Sequence, residues 1–212
     1  MPYNKSDFWS VKAQKEGYPA RSVYKLKEMD EKFAFFRIFS GSGGGKVLDL
    51  GASPGSWSLY ALQKMRGRGF LVSVDLSPLS REYDKGLFDG GNFLFLQGDM
   101  NNAEVRNVII SHAPFNLILS DAAPATTGNS SVDTARSLAL AESVLSYAES
   151  FLVEGGNLAV KVFQGGDSQG LLRRIRDSFQ SGKSFKPQAC RAESFETYYI
   201  GLGAKAHNRD SL

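Results

Sequence analysis

The stretch VLDLGASPGSW, Val47 to Trp57, decides the fold. Its apolar run Val47–Leu50 has the length and composition of a short buried strand. Gly51-Ala52-Ser53-Pro54-Gly55 then makes a tight turn, and helical character sets in at about Trp57. Strand, turn and helix in immediate succession open a βαβ unit, whose ligand binds outside the carboxyl ends of the strands. Glycines at 51 and 55 let the backbone turn sharply and approach a ligand without a Cβ clash. The helix behind them offers unpaired N–H groups and the positive end of its dipole.

Outward from this unit the alternation repeats. Phe70–Val74 is a second strand, closed by Asp75, and Phe93–Leu96 is a third, followed by Gln97-Gly98-Asp99. Asn101, with Glu104 three residues on, reads as a capping-box start for a helix through Ile110. Phe115–Leu119 is a fourth strand, ending in Ser120-Asp121. Leu138, Ala141, Leu145, Ala148 and Leu152 share one face of a long helix that should stop at Gly155-Gly156. Leu158–Val162 is a fifth strand carrying Lys161. Leu171, Ile175 and Phe179 mark another helix, and Tyr198–Leu202 reads as a final strand. Repeated strand–helix units predict an α/β fold, a parallel sheet with helices on both faces. Ahead of the sheet, Tyr18-Pro19 breaks a helical pattern that resumes with Val23, Leu26, Met29 and Phe33, and the glycine-rich segment 41–45 is a hinge. The expected organisation is a basic helical segment over 1–40, one domain over 41–205 and a disordered tail over 206–212.

At 212 residues and 42% hydrophobic, the chain can bury one sizeable core. No run approaches ~18 consecutive apolar residues, so no membrane span is expected. The N-terminal MPYNKSDFWSVK lacks the apolar centre of a signal peptide, which points to the cytoplasm. Cys190 is the single cysteine, which excludes an internal disulfide. With His112 and His207 as the only histidines, no metal site is expected. The net charge is only +3, but residues 1–27 hold six Lys/Arg against two acids and residues 171–205 hold seven against three. Residues 28–170 hold eleven against sixteen. Basic ends around an acidic middle suit a polyanion such as RNA, with Arg21 and Lys27 or Arg173, Arg174 and Arg176 as phosphate ligands.

Pro54 interrupts the G-x-G-x-x-G fingerprint of pyrophosphate binding, which disfavours a nicotinamide-dependent oxidoreductase. A cofactor without phosphates fits better, and S-adenosylmethionine (AdoMet) is the common one on such a sheet. Asp75 stands where an acid would accept from both ribose hydroxyls. Asp99 stands where one could accept from an adenine amino group. Singly, each is as readily a helix cap or loop residue. Their succession at consecutive strand ends argues for a nucleoside.

Lys161 sits in a strand that should be buried on both faces, where lysine is rare without a partner. Asp121 ends the neighbouring strand, Glu196 opens the last one, and Lys25 lies in the basic segment. A Lys-Asp-Lys-Glu set on this sheet is equipment for taking a proton from a ribose hydroxyl beside a methyl donor. In order, the chain carries R-S-V-Y-K-L, D-L-G-A-S-P-G-S-W, S-D-A-A-P, the strand lysine and S-F-E-T-Y.

These motifs, spread over nearly the whole length, resemble the FtsJ/RrmJ family of RNA 2′-O-methyltransferases. The resemblance implies a Rossmann-like, AdoMet-dependent fold with a seven-stranded, mostly parallel sheet. It implies a catalytic tetrad of Lys25, Asp121, Lys161 and Glu196. It also implies cofactor contacts at Gly55, Trp57, Asp75, Asp99 and Asp121, to which the loop reading adds Gly51. Lys161 is the general base by this reading. Desolvation, Lys25 and the sulfonium favour its neutral form, while Asp121 and Glu196 oppose them and are read as orienting groups. The implied substrate is a uridine of 23S rRNA in the assembled large ribosomal subunit, and the enzyme is expected to act as a monomer. A similar subgroup methylates the tRNA anticodon loop. A non-catalytic RNA-binding module is disfavoured because all four tetrad positions are intact. The chain departs from the pattern at Ser56, where ribosomal members usually have glycine, and over the loop 122–128.

Overall fold

The computed structural model describes residues 8–40, 44–191 and 194–206. Hinge residues 41–43 and the tail expected to be disordered, from residue 207 onward, lie outside the described residues.

Seven strands form one sheet: β1 (Lys46–Leu50), β2 (Phe70–Asp75), β3 (Phe93–Gln97), β4 (Phe115–Ser120), β5 (Leu152–Phe163), β6 (Phe179–Phe185) and β7 (Glu196–Ala204). Their spatial order is β3-β2-β1-β4-β5-β7-β6. The first five are parallel, and β7 runs antiparallel to both β5 and β6. Because β1 lies beside β4, the winding reverses between them, and a crevice opens at their carboxyl ends.

Among the described residues, six α-helices accompany the sheet: α1 (Phe8–Lys15), α2 (Val23–Phe33), α3 (Ser56–Met65), α4 (Ala103–His112), α5 (Ser130–Phe151) and α6 (Ser168–Ser178). The period of two along each strand divides the core. Val47, Leu71, Leu117 and Ala159 face α2 and α3 with Val23, Leu26, Met29, Leu59 and Leu62. Leu48, Leu50, Val72, Ile118 and Val160 face α5 and α6 with Ala141, Leu145, Leu171 and Ile175. The basic N-terminal segment thus shares its apolar face with the sheet.

Four local expectations are corrected. β6 was not visible as a strand because it is a polar edge, FQSGKSF, whose only fully buried residue is Phe179. Phe179, expected on α6, starts that strand. The long helix α5 ends at Phe151 rather than at Gly155-Gly156, since Leu152 takes extended backbone and pairs with Phe115. Gly155, at φ +78°, then turns the chain within an irregular start to β5, before regular pairing begins at Asn157. Asn102, not Asn101, caps α4: its side chain accepts from the Glu104 N–H.

Candidate active site

The tetrad residues come from four parts of the chain and meet above the carboxyl ends of β4 and β5. Lys161 on β5 pairs in register with Tyr198 on β7, and Glu196 lies two residues along β7 on the same face. Asp121 follows β4. Lys25 reaches in from α2, where its neighbours Val23, Leu26 and Met29 fix the helix on the core. Lys161 is only 8% exposed. Its Nζ lies 3.0 Å from Asp121 Oδ1 and donates to the Asp121 carbonyl at 2.5 Å. Lys25 Nζ lies 2.5 Å from Glu196 Oε1 and 3.9 Å from the same Asp121 oxygen. All four expected residues are therefore in one cluster, as three ion pairs, two of which share Asp121 and two of which share Lys25.

Two further side chains belong to this cluster. The Tyr198 hydroxyl donates to Asp121 Oδ1 at 2.6 Å and lies 3.3 Å from Glu196 Oε1. The Cys190 thiol donates to Glu196 Oε1 at 3.1 Å. Tyr198 was legible in S-F-E-T-Y, because a residue two beyond Glu196 must share its face; nothing marked Cys190. Burial alone would raise the Asp121 carboxyl, but Lys161, Lys25 and Tyr198 outweigh it and hold the group below the usual carboxylate range. Burial would lower Lys25, but Asp121 and Glu196 outweigh it and keep the ammonium above its usual value. Burial and the hydrogen bond to Glu196 push the Cys190 thiol up to about 12, so it stays protonated.

On one side of the tetrad a cleft of about 130 Å³ is lined by Gly51, Asp75, Leu76, Asp99, Met100 and Ala122, among others. Three expected cofactor residues line it: Gly51, Asp75 and Asp99. Asp75 also braces the turn, accepting from Ser53 N at 2.9 Å and Ser77 N at 2.8 Å, one bond on each oxygen. A carboxylate has about four acceptor sites, so two remain. Asp99 accepts from Asn101 on Oδ1 alone. Leu76, 70% exposed, and Met100 supply apolar walls, and each follows one of the acids directly. Two free-edged carboxylates beside apolar side chains fit a nucleoside, and hence AdoMet, better than a pyrophosphate.

Gly51 serves the backbone as well, while the remaining expected contacts, Gly55, Trp57 and Asp121, do not line the cleft. Gly51, at φ +79°, lets the β1 and β4 loops touch: a Cβ there would lie 2.4 Å from the Ala122 Cα. Gly55, at φ +110°, packs against Phe88. The Trp57 side chain, expected at the cofactor, is 2% exposed and turned the other way. Its Nε1 donates to the Ser22 carbonyl at 2.8 Å, and its ring lies 5.9 Å from that of Tyr198. Asp121 keeps its carboxylate in the tetrad, while its neighbour Ala122 lines the cleft.

On the other side, a cleft of about 280 Å³ is lined by Arg21, Ser22, Lys25, Arg191, Ser194 and Glu196, with Ala20 and Ala189. Arg21 donates to the Ala189 carbonyl at 2.5 Å; burial and the nearby Arg191 guanidinium pull its pKa down. Lys27, expected to be a phosphate ligand, is instead paired with Glu16 at 2.6 Å and lies over the Tyr18 and Tyr24 rings. Among the described residues no group of His, Cys, Asp or Glu could hold a metal ion, and no helix is long and apolar enough to cross a membrane.

The family profile described as FtsJ-like methyltransferase matches residues 18–204. The chain is 49% identical over 204 residues to the ribosomal RNA large subunit methyltransferase E of Treponema denticola, covering 96% of this chain and 97% of that one. To the protein of the same name from Nitratidesulfovibrio vulgaris it is 45% identical, over 93% and 92% of the two chains. Among solved structures, one described as a ribosomal RNA methyltransferase of Plasmodium falciparum superposes with a TM-score of 0.71 at 24% identity, over 90% of this chain and all of that one. Human methyltransferase-like protein 13, solved in complex with SAH, shares the fold at a TM-score of 0.55 and 12% identity, over 87% and 85% of the two chains.

Proposed function

The chain belongs to the FtsJ-like methyltransferase family, and from that premise we propose that it transfers a methyl group from AdoMet to a ribose 2′-hydroxyl of a uridine in 23S rRNA. The observation that carries this reading is the convergence of Lys161 and Lys25 on Asp121 between the two clefts. The names of the relatives support ribosomal RNA as the substrate class. The apolar walls and part-free acids of the smaller cleft support AdoMet there.

AdoMet, when bound, supplies a methyl already activated on a sulfonium. The chain's own task is to hold the 2′-oxygen in line and to take its proton. In-line placement of bound reactants can supply about 7–11 kcal/mol. Asp75 and Asp99 would hold the cofactor's ribose and adenine. Lys161, the general base, takes the hydroxyl proton at Nζ as the oxygen attacks. Asp121 orients Lys161 through its carboxylate and carbonyl, and Tyr198 fixes that carboxylate. Glu196 holds Lys25, whose ammonium stands near the ribose oxygen and stabilises negative charge developing there. Arg21 and Arg191 flank the larger cleft and take the phosphates of the target strand.

The substrate is tested by transfer of labelled methyl groups to large ribosomal subunits, protein-free rRNA and total tRNA from a strain lacking the enzyme. The chain's excess of positive charge is small for a protein that must find one nucleotide unaided. Subunits should therefore label far better than naked rRNA or tRNA. Preferential labelling of tRNA would overturn the ribosomal assignment while leaving the 2′-O chemistry intact.

A further inference from the structure

Among the described residues, large apolar side chains that stand in solvent are few, and two of them directly adjoin site residues in the chain, Leu76 after Asp75 and Phe195 before Glu196. Leu76, 70% exposed, lines the cofactor cleft. Phe195, 66% exposed, immediately precedes Glu196. Both of its chain neighbours, Ser194 and Glu196, line the larger cleft. The phenyl ring itself is left out of the core, although the residues after it, from Glu196 to Ile200, are all buried.

The main chain that carries this ring is fixed. The Phe195 carbonyl accepts from Gln164 N at 2.8 Å, tying it to the end of β5. Glu196 N donates to Ser194 Oγ at 3.2 Å, and Glu196 pairs with Phe163 in the sheet. Consecutive Cα atoms are 3.8 Å apart, so the ring stands within roughly 10 Å of the Glu196 carboxylate. That is about the span from a ribose 2′-oxygen to the face of its own base or of the adjacent one. An exposed phenylalanine gains nothing from water, whereas a nucleobase lifted from its stack needs an apolar face.

We propose that Phe195 is a stacking platform for a nucleobase of the target RNA, either that of the methylated nucleotide or its neighbour, and so places the ribose over Lys161. This rests on the RNA 2′-O-methyltransferase reading and adds a substrate contact to it. A phenyl ring has no hydrogen-bonding edge, so the contact fixes position and leaves base identity to other groups.

The test compares Phe195→Ala, Phe195→Leu and Phe195→Trp on whichever RNA the wild-type enzyme labels, so that a wrong RNA class overturns the substrate assignment alone. Base–aromatic stacking corresponds to roughly 5- to 150-fold in affinity. Phe195→Ala and Phe195→Leu should each lower kcat/KM for RNA about tenfold or more through a raised KM, with AdoMet affinity unchanged. Phe195→Trp should restore it, and its added indole emission should be quenched when RNA binds. Unchanged kcat/KM in Phe195→Ala would overturn the proposal. So would an active Phe195→Trp enzyme whose added emission ignores RNA, because that result leaves the ring outside the RNA contact.

Discussion

A lysine in the middle of a sheet needs its charge met, and Lys161 is met by one residue, Asp121, through both side chain and main chain. Two acceptors fix Nζ in direction as well as in place, and position is what a general base requires. Lys161→Ala should lower single-turnover methyl transfer by about 10²–10⁴-fold while AdoMet affinity stays within a few-fold. Near-normal turnover in that variant would remove Lys161 from the mechanism. Asp75 is a harder case, since its carboxylate also holds the Ser53 and Ser77 N–H groups. Asp75→Ala should weaken AdoMet binding by about 1.5–3 kcal/mol, the worth of a charge-assisted hydrogen bond. Calorimetry showing unchanged affinity would leave Asp75 as a loop brace alone. Asp49 is fully buried in β1, with Oδ2 accepting from Ser58 and Oδ1 without a partner. Burial first, with Asp121 and Asp75 adding to it and the Ser58 hydrogen bond opposing, pushes its pKa up to about 7. The folded chain therefore binds a proton that the unfolded chain releases between about pH 4 and 7. This contribution to stability is full below about pH 4 and is lost as pH rises through 7. Asp49→Asn should raise stability by roughly 2–4 kcal/mol more at pH 8 than at pH 4. Melting curves showing the same shift at both pH values would contradict this.

At the scale of elements, the N-terminal segment is tied to the cofactor helix by its own polar groups. Ser56, at the start of α3, accepts from Ala20 N at 2.8 Å and donates to the Ala20 carbonyl at 3.1 Å. The one departure in the cofactor loop is thus a latch between α3 and the segment that carries Lys25. Trp57 to Ser22, and Asp30 to Tyr60 and Lys64, add to this attachment, and Glu28 accepts from the N–H groups of Gln188 and Ala189. Ser56→Ala should cost about 1–3 kcal/mol of stability, because two main-chain groups lose their partner. Denaturant unfolding with an unchanged midpoint would show that water replaces the latch. These ties were illegible in the sequence, since Ser56 and Trp57 read as cofactor-loop residues and nothing pointed them at residues 20–22. The strands of the parallel sheet were legible because both faces are buried and each reads as an apolar run. β6 was not, because an edge strand of Gln, Ser, Gly and Lys carries no such run. In the site, Asp121, Glu196 and Lys161 were legible as strand-end acids and a misplaced lysine, while Lys25 was legible only through its resemblance to the family motif. Leu76 and Met100 were missed because apolar residues after a strand look like ordinary loop.

For the whole molecule, the sheet sets a small cleft lined by Asp75, Asp99 and Ala122 and a larger one lined by Lys25 and Glu196, and on the proposed reading cofactor and RNA reach the cluster of charges from these separate clefts. RNA binding to the larger cleft should be salt-dependent through Arg21 and Arg191. Neutralising both should reduce the slope of log K against log salt by roughly 1.4, at about 0.7 per phosphate for single strands. An unchanged slope would move the RNA to another face, with Arg173, Arg174 and Arg176 on α6 as the next surface. The central claim is methyl transfer to a ribose oxygen, and it is read most directly from the labelled nucleoside. Subunits methylated with labelled AdoMet should be digested to nucleosides and separated. The label should co-migrate with 2′-O-methyluridine; label on a base carbon or nitrogen would contradict the account.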